Sequence, residues 1–136
     1  MTIGARRLDH VVVAVEDVKS AADVWSATLG LAVESFLQPE GTHLRLAKLP
    51  AGNAFVELAM PLTEDHRLAR HLRERGQGMF SLSIEVDDLD AAVRYLRERG
   101  APVSTPEAGV WPRTRVARIN RAATHGVSIQ LLERQR

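Results

Sequence analysis

The stretch LDHVVVAVEDVKSAADVWSATLGLAV, residues 8–33, decides the fold, because its apolar pattern changes period at Glu16 and Asp17. Val11, Val12, Val13, Ala14 and Val15 form a short β-branched run, as in a strand covered on both faces. Beyond Asp17 the apolar residues Val18, Ala21, Ala22, Trp25 and Leu29 recur at helical spacing, with Asp17 placed as N-cap and Gly30 as the left-handed stop. Strand-like runs follow over 31–36, 43–49 and 54–60, the last two separated by Pro50, Ala51, Gly52 and Asn53. The unit reads βαβββ.

The pattern is then written a second time, in MFSLSIEVDDLDAAVRYLRERGAPV at residues 79–103. Residues 81–86 read as a strand, Asp88 as a cap, Leu89, Ala92, Val93 and Leu96 as a helix face, and Gly100 as its stop. Closing strands are expected over 102–104, 114–119 and 127–132. Between the copies, HRLARHLRERG at 66–76 predicts a linking helix with Leu68 and Leu72 facing inward. Aligning Asp17 with Asp88 sets His10 opposite Ser81, an offset of 71 residues. Aligning FVELA with SIQLL sets Glu57 opposite Gln130, an offset of 73. Two such similar offsets in separate segments indicate an internal duplication. The expected architecture is a single α+β domain over 1–136, built from two βαβββ modules, about 8–61 and 79–134, joined by a helix at about 65–76. The modules are expected to form a curved mixed sheet around a cleft.

A chain of 136 residues can bury a real core. Cysteine is absent, which excludes disulfides, thiolate metal sites and cysteine nucleophiles. The formal charge is +1, and Lys19 and Lys48 are the only lysines. That balance argues against a nucleic-acid partner. No apolar run approaches the roughly 20 residues of a membrane helix, so a soluble, cytoplasmic protein is expected. No nucleophile triad, phosphate-cradling glycine loop or dinucleotide fingerprint is present. A histidine heading the first strand and a glutamate in the fourth supply one imidazole and one carboxylate, a usual ligand set for a divalent ion.

The segments LDHVVVAVEDV, TLGL, FVELAMP and LRERGQGMFSLSIEVDDLDAAVRYLRERG resemble the vicinal oxygen chelate superfamily. Its members include glyoxalase I, bleomycin-resistance proteins, extradiol dioxygenases and methylmalonyl-CoA epimerase, and the epimerase branch is the nearest in these motifs. The resemblance implies a metal held by one residue from each of four strands, substrate oxygens completing the coordination, and a homodimer. Residue by residue, the ligands fall on His10, Glu57, Ser81 and Gln130. His10 and Glu57 match. Ser81 stands where a histidine is usual, and Gln130 where a glutamate that also moves protons is usual. Glutamine coordinates through its carbonyl but accepts no proton. The partner base of the epimerases falls near Leu44 or Arg45, neither of which is a carboxylate.

The resulting expectations are a glyoxalase-like isomerase, lyase or epimerase acting on a small carbonyl or carboxylate compound, with an atypical or absent metal. His10 and Glu57 are its catalytic candidates. Ser81, Gln130, Arg115 and Trp111 are candidates for substrate binding. A metal (Zn, Co, Ni or Mn) would rest on His10, Glu57 and Gln130. Arg113, Arg115, Arg118 and Arg121 make a basic run beside Trp111, read either as a solvated edge or as a clamp for a carboxylate or phosphate. His66 and His71 are expected to be solvated, and His43 and His125 are lesser acid–base candidates. Two alternatives stand beside this reading: a protein that sequesters a small molecule without catalysis, which needs only a shaped cleft and a few polar groups, and a metal-free isomerase or cyclase using His10 and Glu57 as acid and base.

Overall fold

In the computed structural model residues 2–135 are described. The chain forms two compact units, His10–Phe80 and the association of Met1–Asp9 with Ser81–Arg136. Strand β1 (Ala5–Ala14) contributes its first half to the second of these and its last half to the first.

The unit His10–Phe80 continues through α1 (Val18–Leu29), β2 (Ser35–Leu37), β3 (Leu44–Ala51), β4 (Ala54–Pro61) and α2 (Arg67–Arg75). Its strands lie in the order β2-β3-β4-β1, with β1 parallel to β4 and β3 antiparallel to it. Parallel neighbours need a long crossover, and α1 begins it. Asp17 starts the helix as expected, its carboxylate accepting from the N–H groups of Lys19 and Ser20. Gly30 ends it with φ 73°, a left-handed angle that a side chain resists. One sheet face is apolar: Val13, Val15, Ala47, Leu49 and Leu58 pack with Val18 and Ala22 of α1.

The other unit holds β5 (Gly78–Val86, from Ser81 on), α3 (Leu89–Glu98), β6 (Glu107–Ala108), β7 (Thr114–Ile119) and β8 (Ile129–Arg134), in the strand order β5-β8-β7-β6. Asp88 caps α3 through the N–H of Ala91, and Glu133 accepts from that of Leu89. Val86, Leu89, Ala92, Val93, Ala117 and Leu131 form its core. The architecture is therefore mixed α+β, with eight strands and three α-helices among the described residues.

The two parallel ladders, β1 with β4 and β5 with β8, share one register pattern. In the first module Val11 pairs with Val56 and Val12 with Glu57; in the second Leu82 pairs with Ile129 and Ser83 with Gln130. These pairs correspond through the same offsets of 71 and 73 residues found in the sequence. Each module thus builds one parallel ladder in one register.

Several local expectations are corrected. The strand expected at 102–104 is only an isolated bridge between Val103 and Ile119, and β6 lies further on. Pro102 and Pro106 flank that segment and each removes a backbone donor. Leu29, expected on the buried stripe of α1, is 57% exposed, because the cluster covering the helix stops at Trp25. Residues 31–34 pack Leu31 and Val33 inward as irregular chain, so β2 is short. His66 and His71 are not simply solvated. His66 caps α2, its Nδ1 accepting from the N–H of Leu68 at 3.0 Å, and His71 meets the Phe80 ring edge-on.

Candidate active site

Within the unit His10–Phe80, the sheet face opposite α1 carries the candidate chemistry. His10 and Phe55 are register partners on β1 and β4, and Glu57 follows Phe55 by two residues, so alternation returns it to the same face. His10 Nε2 lies 3.6 Å from Glu57 Oε1. Both groups are buried, at 1% and 4% exposure, where an isolated charge would be costly. The imidazole stacks on the Phe55 ring, centroids 4.6 Å apart and planes 12° from parallel. Lys48, the register partner of Glu57 on β3, holds its ammonium 4.7 Å from the Phe55 centroid and 3.2 Å from Glu34. A buried carboxylate beside an oriented imidazole can accept a proton, return one, or stabilise the imidazolium formed between those events.

Ser81 and Gln130 belong to the other unit. There Gln130 donates its amide N–H to Ser83 Oγ at 3.0 Å, and Ser83 is fully buried. Ser81, two residues earlier, is half-buried. Trp111 is buried, and its carbonyl accepts from Thr114 Oγ1 at 2.6 Å. Arg115 is already engaged: two 3.0 Å hydrogen bonds tie it to both carboxylate oxygens of Asp90, and Glu133 lies 3.6 Å away. That pairing holds the Asp90 carboxyl below its ordinary range. The clamp expected of Arg115 is thus closed on the protein's own acid. Arg118 pairs with Glu107, and His43 and His125 are exposed turn residues at φ 55° and 57°.

Sequence reasoning missed the charged network of the second unit. Asp9, with no exposed surface, receives Arg7 Nη2 at 2.8 Å and Arg134 through Nε and Nη2 at 2.8–3.1 Å. Arg7 Nε also donates to Glu85 at 2.8 Å. Asp9 and Arg134 stand 125 residues apart, so no local pattern announces the pair. Ser83 had a signal, since it is the counterpart of Val12, a polar residue where the first copy is apolar.

Among the described residues no three His, Asp or Glu side chains gather where one ion could be shared. The first unit offers one imidazole and one carboxylate turned toward each other, and the second gives its Gln130 amide to Ser83. That donor set does not fit the four-ligand centre the resemblance implied.

The family model for the Glyoxalase/Bleomycin resistance protein/Dioxygenase superfamily matches residues 9–127. The chain belongs to this superfamily. Within it, the crystal structure of methylmalonyl-CoA epimerase from Mycobacterium tuberculosis superposes with a TM-score of 0.90 at 31% identity, covering 99% of this chain and 91% of that one. The ethylmalonyl-CoA/methylmalonyl-CoA epimerase of Cereibacter sphaeroides is 35% identical over 99 residues, 71% of this chain and 73% of the relative. The mitochondrial methylmalonyl-CoA epimerase of Homo sapiens is 33% identical over 94 residues, and the match spans 68% of this chain and 53% of the human protein. This superfamily member therefore has the glyoxalase-like α+β fold and epimerase relatives.

Proposed function

We propose that this superfamily member is an isomerase-type enzyme that moves a proton at the carbon beside the carbonyl of a small carbonyl or carboxylate compound, with His10 and Glu57 as its proton-handling pair. The observation that carries the reading is the buried 3.6 Å His10–Glu57 contact, stacked on Phe55, in a chain whose relatives bear epimerase names. Epimerisation requires a base to remove the α-proton and an acid to return one. The carboxylate of Glu57 is the acceptor in this reading, and His10 relays the proton. Phe55 fixes the plane of the imidazole, so the pair needs little reorganisation during the step. The proposed proton path runs through His10 and Glu57 alone.

The test is solvent deuterium incorporation at the α-carbon, followed by mass spectrometry, with methylmalonyl-CoA and free methylmalonate as first probes and a panel of small 2-substituted carbonyl acids behind them. Exchange into at least one probe is expected from wild type, with a loss of about 10²-fold or more in Glu57→Gln. Exchange that ignores the substitution would remove Glu57 from the chemistry. A second reading, a sequestering protein, is favoured by the uncharged Ser83–Gln130 pair of the second module; it requires saturable binding of a small molecule with no exchange at all.

A further inference from the structure

The unit that lacks His10 and Glu57 has a cavity of its own, about 460 Å³ in volume, lined among others by Arg6, Arg7, Glu85, Arg113 and Arg134. Four guanidiniums converge there. Among the described residues they pair with three carboxylates: Asp9, held by Arg7 and Arg134, Glu85, held by Arg7, and Asp87, held by Arg6 at 2.6 Å. Counted over these described residues, four guanidiniums against three carboxylates leave one positive charge in excess. Arg113 is the source of it, since it makes no ion pair among the described residues.

The geometry around the excess charge is built rather than loose. Arg134 gives Nε and Nη2 to Asp9, which fixes the plane of its guanidinium and leaves Nη1 without a bond among the described residues. Arg113 sits at φ 61°, a left-handed conformation that few non-glycine residues adopt. It is held there because its carbonyl accepts from the N–H of Gln135 at 2.9 Å, while Thr114 Oγ1 bonds to Trp111 on the other side. Strain of this kind persists where the surroundings over-determine it, and ligand clamps are among its usual locations.

We infer that this cavity binds the oxyanion of an acidic ligand, a carboxylate or a phosphate group, with Arg113 and Arg134 Nη1 as its donors. Planar guanidiniums match both groups with short, charge-assisted hydrogen bonds. Because Arg134 is already immobilised by Asp9, little side-chain freedom is lost on binding. The inference does not depend on proton transfer by His10 and Glu57, because binding is read without turnover.

Isothermal titration with inorganic phosphate and with malonate, at ionic strength fixed by sodium chloride, tests it. Saturable binding of at least one is expected; phosphate alone marks a phosphorylated ligand, malonate alone a carboxylate, and either result supports the site. Arg113→Gly removes the guanidinium while glycine accepts the left-handed backbone, and it should weaken binding about tenfold or more. Arg113→Asn, which also tolerates that conformation, serves as the second variant, with circular dichroism confirming the fold of both. Arg70→Ala, on an exposed arginine of the other unit outside the cavity, should bind as wild type does. Saturation by neither anion, or unchanged affinity in both Arg113 variants, would overturn the inference.

Discussion

In the first module Glu57 meets an imidazole, His10, at 3.6 Å; at the equivalent place in the second module Gln130 meets a hydroxyl, Ser83, at 3.0 Å. The ladders beneath them are the same, register for register. What differs is how far a side chain can reach. Glu57 stands opposite Val12, which offers no polar group, so its partner comes from His10, one pleat away, a step of about 6.6 Å along the strand. An imidazole spans that step. The counterpart of His10 is Ser81, whose hydroxyl lies one bond beyond Cβ, and Gln130 instead pairs with Ser83 directly across the ladder. Backbone frame and side-chain charge are thus encoded separately. A duplicated chain can keep the first in both copies and concentrate acid–base capacity in one.

The charged contacts of the second unit test the same contrast, and they should give the largest effect on stability. Asp9→Ala leaves Arg7 and Arg134 facing each other without the buried carboxylate that joins them. A loss of about 3–5 kcal/mol is expected in urea denaturation. Retained stability would mean that these arginines find other partners. Gly109→Ala comes next, because a Cβ there would overlap Thr114 Oγ1, the group that anchors the Trp111–Thr114 turn. Overpacking of this kind costs about 1–3 kcal/mol, and the same denaturation curve reads it.

Ser83→Ala should cost about 1–2 kcal/mol, since it strands the Gln130 amide beside a buried position. The double variant Ser83→Val with Gln130→Leu, which makes this one cross-strand pair apolar, should recover most of that loss. A double variant as unstable as the single one would show that the neutral pair does more than satisfy itself.

The smallest effect belongs to the cap of α2. Burial, and after it the neighbouring Arg67, lowers the His66 pKa from its ordinary value of 6.5. The unfolded chain therefore binds the proton more readily than the folded one, and stability rises with pH through this window. The contribution is fully present above about pH 6.5 and is lost as pH falls through the lower folded value. His66→Asn, which caps without titrating, should flatten that part of a melting-temperature profile measured between pH 5 and 8.

Much of this fold was legible because its signals are local. Asp17 and Asp88 announced their helices, Gly30 its stop, and the two offsets announced the repeated ladder. The His10–Glu57 pair was legible because strand alternation sets the face of each residue. Contacts between distant segments were not. Asp9 and Arg134 lie at opposite ends of the chain, and the capture of Arg115 by Asp90 joins β7 to the start of α3. A run of arginines gives no sign of which members acids elsewhere will neutralise, and Arg113 stands apart from Arg115 and Arg118 only once those pairings are seen.

The measurement that bears most directly on the contrast between modules is the α-proton exchange rate of wild type, Glu57→Gln and Gln130→Leu, taken side by side on whichever probe exchanges. If acid–base capacity resides in the first module, Glu57→Gln loses about 10²-fold or more and Gln130→Leu less than about tenfold. A loss in Gln130→Leu equal to or greater than that in Glu57→Gln would contradict the assignment and move the chemistry to the second ladder.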